Sequence, residues 1–465
     1  MVYISFLFYV FVIAMAILYY CIPQKHRWMV LLLANITFIF AFYKTGWWLI
    51  LFTVCMSYVW GLILGKMKGR FSKVVLFISI VAVLLPWAWV KTYELINDLG
   101  RGFSALSVIV PIGISFYTLQ MIAYLVDVYN GKINAQKNVF KFLLFGTYFP
   151  ILVQGPIPRY KSLQFELLEG HRFDEEKITQ GVYMIIWGFF LKMMIADKAG
   201  VVVNTVFNGY KAYTGVYMWI ASILYSIQLY ADFCGCTSIV RGISSLFGIE
   251  LPENFRRPYL ATSFKDFWAR WHISLSTWLR DYIYIPLGGS RNGTLRKYTN
   301  LIIAFIVSGI WHGAGLTFII WGLLHALYRV FESVISVDKW NIVVKRLLVL
   351  LGVNFAWVIF RAENMGSALY MLRSMFTDIN IWTLFNNRIF TLGLSWKQYL
   401  VLVISVIILF VIESKQEKGI SIRNLVMKCS TWIRWTIVVC VIISIFVFGT
   451  YGFGYNAQEF IYGGF

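Results

Sequence analysis

Leu301–Tyr328 reads LIIAFIVSGIWHGAGLTFIIWGLLHALY and contains no Asp, Glu, Lys or Arg. A helix needs about 20 apolar residues to cross the hydrocarbon core of a bilayer, so an uncharged run of this length belongs in a membrane. Two imidazoles, His312 and His325, are its only groups that titrate near neutral pH, and glycines flank the first of them. An ionisable ring at membrane depth is a functional candidate by default, because its burial is costly unless the site uses it.

The rest of the chain agrees with this reading. Of its 465 residues 60% are apolar and 13% charged, roughly half the charged share of a soluble domain. Apolar runs over Tyr3–Tyr20, Trp28–Tyr43, Trp47–Leu64, Val74–Val90, Leu106–Val126 and Val182–Ala196 predict early spans. Val216–Ala231, Leu301–Val330, Val343–Phe360, Tyr399–Val411 and Trp432–Phe448 follow. Backbone amides in lipid must be paired internally, so the expected fold is an all-α polytopic bundle of about 11 transmembrane helices. MVYISFLFYV at the N-terminus lacks a basic n-region and reads as a retained first helix. The loops 21–27, 65–73 and 127–141 hold nine Lys/Arg against three in the alternating loops 44–46 and 91–106. That bias puts the N-terminus outside and the richer loops in the cytoplasm.

The formal net charge is +20, but the basic residues are scattered among loops, which argues against nucleic acid. Anionic headgroups of the bilayer, or a phosphate-bearing substrate from the cytoplasm, fit better. Cys234-Gly-Cys236 has no second pair nearby, so neither a metal site nor a disulfide framework is expected. No boundary or internal repeat divides the chain. Residues 1–465 read as one transmembrane domain: N-terminal spans over 1–130, a core over 131–360 and C-terminal spans over 361–465.

Two further segments are not plain spans. FPILVQGPIPRY, Phe149–Tyr160, has three prolines and a glycine and predicts a broken or re-entrant element. Residues 251–299 are too polar to span, with eight Lys/Arg against Glu253, Asp266 and Asp281. Interrupted helices at membrane depth line protein or a water-filled cavity, so a central tunnel is expected. Within 251–299, SFKDFWARWHISLSTWLRDYIYIPLGG (Ser263–Gly289) predicts one interfacial helix. It would be capped by Ser263, braced by Asp266–Arg270, and striped by Trp271, Leu275, Trp278 and Tyr282. His272 follows Trp271 in the same order as Trp311-His312. His325 reads as structural, and His26 and His171 as solvated. A buried neutral imidazole can take a proton from a hydroxyl near pH 7. Beside Gly309, Gly313, Ala314 and Gly315 it would have room for an acyl group, which fits acyl transfer; a proton relay in a secondary transporter or flippase fits equally.

PENFRRPY (Pro252–Tyr259), DFWARWHISLSTWLRDYIYIPLGGSRNG (Asp266–Gly293) and SGIWHGAG (Ser308–Gly315) together resemble the membrane-bound O-acyltransferase superfamily. PIGISFYTLQMIAYLVDVY (Pro111–Tyr129), GPIPR (Gly155–Arg159) and FGTYGFGYNAQEFIYGGF at the C-terminus are similar to its bacterial branch of alginate O-acetyltransferase type. DFCGCTS (Asp232–Ser238) departs from that pattern, with Ser238 where the branch has an aspartate, and so does the closing YGGF. The resemblance implies that His312 is the catalytic histidine and His272 the second characteristic one. Trp271 and Trp311 would dry the site, and Arg280, Gln154 and Arg159 would line the tunnel or meet donor phosphate. No bound cofactor is implied: acetyl-CoA or another acyl thioester would be the donor from the cytoplasm. A secreted or cell-wall polysaccharide would be the acceptor, with an extracytoplasmic SGNH-type acetyltransferase as partner, in a bacterial cell membrane. D-alanyl or lipid O-acyl transfer is the alternative within the superfamily.

Overall fold

The computed structural model describes residues 3–42, 46–98, 113–313, 315–335 and 339–451, with the side chains of 94–98 left out. The expected span Leu106–Val126 therefore lies partly outside the described residues, as do Ala314 and most of the C-terminal motif.

Among the described residues every regular element is helical. The N-terminal part runs α1 (Phe6–Cys21), α2 (Arg27–Phe42), α3 (Trp47–Lys66), α4 (Phe71–Asp98) and α5 (Ile114–Tyr129). Short α6 (Val139–Gly146), α7 (Phe149–Leu152) and α8 (Tyr160–Glu169) follow. Next come α9 (Glu175–Phe189), a π-helical segment over Phe190–Ala196, α10 (Asp197–Asn208) and α11 (Val216–Ser245). The polar region holds α12 (Phe264–Arg270) and α13 (Ile273–Leu279), and α14 (Gly293–His312) and α15 (Leu316–Val334) follow. The chain closes with α16 (Ile342–Arg361), α17 (Met365–Ser374), α18 (Trp396–Glu417), α19 (Ile422–Lys428) and α20 (Thr431–Phe448). Eight helices among the described residues are long and apolar enough to cross a membrane, and α1 is a shorter apolar helix. The protein is an all-α polytopic membrane bundle.

Helices approach closely where glycine removes the side chain. In the α9–α11 pair, a β-carbon on Gly181 would lie 2.7 Å from Gly242 O, and one on Gly188 2.6 Å from Gly235 O. Both glycine pairs are seven residues apart, so the two backbones touch twice along one antiparallel seam. Leu301–Val330 is not one span but a hairpin. α14 ends at His312, Gly313 is extended at φ −173°, and α15 returns from Leu316. A β-carbon on Gly309 would overlap Phe318 O, and one on Gly322 would overlap Phe305 O. The glycines thus serve the α14–α15 contact. Phe318 also fills the space beside Gly313, so that room is not open to an acyl group.

Loop contacts distinguish two ends of the bundle. At one, Tyr20 Oη donates to Leu246 O (3.0 Å), Lys177 pairs with Glu250 (2.8 Å), and Arg257 and Arg270 share Glu417 (2.6 and 2.9 Å). At the other, Gly215 N donates to Ser374 O (2.7 Å) and Arg361 donates to Asn204 Oδ1 (3.0 Å). The first gathers the arginine-rich connections and is the basic end. Phe149–Tyr160 is broken, as its prolines require: α7 is a single turn, and an irregular stretch leads to α8.

Candidate active site

The segment Ser263–Gly289 departs from the single helix its periodicity predicts. Ser263 caps α12 through a bond from Asp266 N (2.9 Å), and Arg270 pairs with Asp266 (2.7 Å), as expected. The helix then stops: Trp271 is extended and His272 is left-handed (φ 42°, ψ 54°) before α13 begins. Trp271, Leu275 and Trp278 are buried rather than interfacial, and Trp278 Nε1 donates to Leu119 O of α5 (2.9 Å).

A left-handed conformation is costly for a residue with a β-carbon and persists only where its surroundings enforce it. Asn254, wholly buried, supplies that force. Its backbone oxygen accepts from Ile273 N (3.0 Å), and its Oδ1 accepts from Ser274 N (3.1 Å) and Ser274 Oγ (2.8 Å). The same Oδ1 lies 3.2 Å from His272 Nδ1. An amide oxygen only accepts, so Nδ1 carries the proton and the Nε2 lone pair is the basic position of the ring. We expect Asn254→Leu to lower acyl transfer by about 10-fold or more, because it loosens both the ring and its tautomer. Asn254→Asp, which keeps the acceptor, should retain more activity; equal loss in both variants would show that Asn254 acts only through folding.

His272 and His312 come from segments forty residues apart, yet Trp311 connects them. The Trp311 ring centroid is 5.8 Å from that of His272 and 4.7 Å from that of His312, both edge-on. Trp311 Nε1 donates to Ser115 O (3.1 Å), fixing the indole against α5, and Phe116 stacks on His272 at 6.3 Å. His312 is closed in by Trp321 (5.1 Å) and Phe360 (5.3 Å), and Trp271 packs on Trp357 (5.0 Å). The result is a buried column. It starts at the Arg270–Glu417 pair on the basic end and passes Trp271, His272 and Trp311. It reaches His312 beside Phe360, one residue from Arg361 at the opposite end.

The other sequence candidates divide. Gln154 is wholly buried in the break after α7, and neither atom of its amide has a hydrogen-bond partner among the described residues. The first turn of α5 ties this break to the column, with Gly113 against Leu152 and Val153 and Ser115 under Trp311. Arg159 and Arg280 instead meet on one carboxylate, Asp281, at 3.2 and 2.8 Å. Arg159 also lies 4.7 Å over the Tyr282 ring, while Arg280 is exposed and away from the histidines. Two residues that pattern reading passes over join the site. Ser308, one turn before His312, is fully buried with a hydroxyl that finds no partner among the described residues. Asn254, whose Oδ1 meets His272 Nδ1, is the other. His325 Nδ1 accepts from Trp268 Nε1 at 3.3 Å, and its ring packs edge-on against Trp321.

Gly313 N is spent on Gly309 O (3.2 Å), so it is not a free oxyanion donor. What the column offers is two imidazoles in a dry, aromatic-lined interior, with polar side chains at its margin. Among the described residues no group of His, Cys, Asp and Glu could hold a metal ion.

Comparison with known proteins agrees with this chemistry. "Probable alginate O-acetylase AlgI" of Pseudomonas aeruginosa is 36% identical over 382 residues, covering 77% of this chain and 72% of the relative. "Peptidoglycan O-acetyltransferase" of Helicobacter pylori is 37% identical over 307 residues (59% and 58%). "Teichoic acid D-alanyltransferase" of Bacillus subtilis is 29% identical over 280 residues (57% and 68%). Residues 132–372, which hold both histidines, Asn254 and the α14–α15 hairpin, match the family described as MBOAT, membrane-bound O-acyltransferase, and this chain belongs to that family.

Proposed function

We propose that this multi-pass bacterial membrane enzyme takes acetyl groups from a cytoplasmic thioester, acetyl-CoA or another acyl thioester, for O-acetylation of a secreted or cell-wall polysaccharide. The observation that carries the reading is the column: two Trp-His pairs, remote in sequence, form one buried path from the basic end to His312 near the other. The relatives named for alginate and peptidoglycan O-acetylation support acetyl as the group and a polysaccharide as the acceptor.

In this reading the basic end faces the cytoplasm, and its positive charge draws an anionic donor toward the column. A tunnel along the column brings the thioester carbonyl to His312. His312 removes the proton of the attacking hydroxyl as the hydroxyl oxygen bonds the thioester carbonyl carbon, and returns that proton to the thiolate released when the C–S bond breaks. In the relay route its ring nitrogen takes the acetyl group, releases the same thiolate, and passes the acetyl group to the hydroxyl, whose proton goes to the thiolate. His272, held by Asn254, orients the reactants through its basic Nε2. Gln154 and Ser308 supply hydrogen bonds in an interior where an unmet polar group is costly. An extracytoplasmic SGNH-type acetyltransferase would carry the acetyl group onward to the polymer.

Inverted membrane vesicles containing the protein test this. Labelled acetyl thioester added outside should yield labelled O-acetyl ester inside, on a lumenal acceptor. Movement of an unlabelled solute without any thioester, and no ester, would establish a transporter instead.

A further inference from the structure

A cavity lies outside the histidine column. It has a volume of about 520 Å³ and opens at the basic end between α9, α11, α18 and α20. Phe255 of its wall packs on Phe233 (4.9 Å) and Trp271 (5.1 Å), and Phe233 in turn packs on His272 (4.7 Å), so an aromatic wall separates it from the active site.

Its two halves differ in chemistry. The mouth carries Arg241, Arg256, Arg257 and Arg423. Glu253 serves both Arg241 and Arg256, at 3.7 and 3.5 Å, and Arg257 is taken by Glu417. Arg423 has no carboxylate partner among the described residues, so the mouth holds excess positive charge. The inner walls are apolar: Ile186, Trp187, Ile412, Val438 and Val441 line them. α20 explains the gap, because Ile445 is its only buried residue, leaving the face that carries Val438 and Val441 unfilled. Between the halves sits Glu413, 4% exposed, whose Oε1 accepts from Tyr230 Oη while Oε2 finds no partner among the described residues.

We propose that this cavity binds an anionic phospholipid: phosphate at the arginines, the glycerol backbone at the level of Glu413, and an acyl chain along α20. Positive charge at a helix-end layer above apolar walls matches a lipid seated from the surrounding leaflet. The assignment does not depend on the acetyl-transfer reading.

The test uses the full chain in detergent, offered equal amounts of phosphatidylglycerol and phosphatidylcholine with the same acyl chains, with bound lipid read by native mass spectrometry. Each arginine near a headgroup is worth roughly fivefold in affinity, so wild type should prefer phosphatidylglycerol by at least about fivefold. Arg256→Gln with Arg423→Gln should bring the two lipids to near parity. Val438→Trp, which fills the apolar half without touching charge, should lower retention of bound lipid, with the lipid-free melting temperature unchanged. Equal retention of both lipids by wild type, or an unchanged preference in the arginine variant, overturns the proposal. Millimolar coenzyme A is the second arm: displacement of phosphatidylglycerol would assign the phosphate subsite to a soluble nucleotide thioester and overturn it too.

Discussion

His312→Ala is expected to leave an inserted, folded protein whose acetyl transfer falls by about 10²- to 10⁴-fold, the usual worth of a positioned acid–base group. The imidazole stands between Trp311, Trp321 and Phe360, so its removal also opens a hole, and a stability loss has to be separated from a chemical one. His325 provides the control. It is equally buried in the same aromatic cluster, 5.0 Å from Trp321, but its Nδ1 lone pair is taken by Trp268 Nε1. His325→Gln keeps an acceptor for Trp268 Nε1 and should lose only a few-fold activity while melting somewhat lower. If His312→Ala transfers acetyl groups normally at normal expression, His312 is not the reacting group. If both variants fail alike, the loss belongs to packing. Only a selective loss at His312 supports the base or acyl-relay role.

The sequence made the membrane bundle readable because hydropathy is local: a run of apolar residues declares a span wherever it occurs. The hairpin at His312 is a different matter. Its turn falls inside an uncharged run, so no change of polarity announces it; the glycines of Ser308–Gly315 mark the interruption, and Gly309 and Gly322 register the close return of α15. The break at His272 left even less trace. Periodicity continues through Trp271 and His272 without glycine or proline, and the chain departs from helix because Asn254, eighteen residues earlier, binds the turn. Both histidines could be singled out from the sequence, since an imidazole at membrane depth is costly and the Trp-His order repeats. That Trp311 brings His272 to His312 is a matter of packing, as is the reach of Arg159 to Asp281. Such contacts join residues far apart in the chain, and a single sequence carries no direct sign of them.

The same limit applies to the largest expected effect on stability. Lys192 lies in the π-helical segment and places its Nζ 2.7 Å from Asp232 Oδ1 and 3.0 Å from Asp197 Oδ1, all three side chains at most 4% exposed. Asp232 opens the DFCGCTS motif, so its carboxylate belongs to a buried ion cluster, and Ser238 lies instead on the wall of the arginine-mouthed cavity. Lys192→Met would strand two carboxylates in the apolar interior. Removing one member of a buried ionic group typically costs about 3–5 kcal/mol. Unfolding of a bundle this size is read better as a rate, so the expected result is a much shorter half-life of the monodisperse protein in detergent on warming. The compensated variant decides the cause. Lys192→Met combined with Asp197→Leu and Asp232→Leu removes every charge at once, and replacing a whole buried ionic group by well-packed hydrophobic residues of similar volume is often nearly cost-free. It should recover most of the lost half-life. Were the single variant as long-lived as wild type, the cluster would not hold the α9–α11 seam together. Were the triple variant no better than the single one, the lysine would matter for its hydrocarbon packing around the π turn and not for its charge.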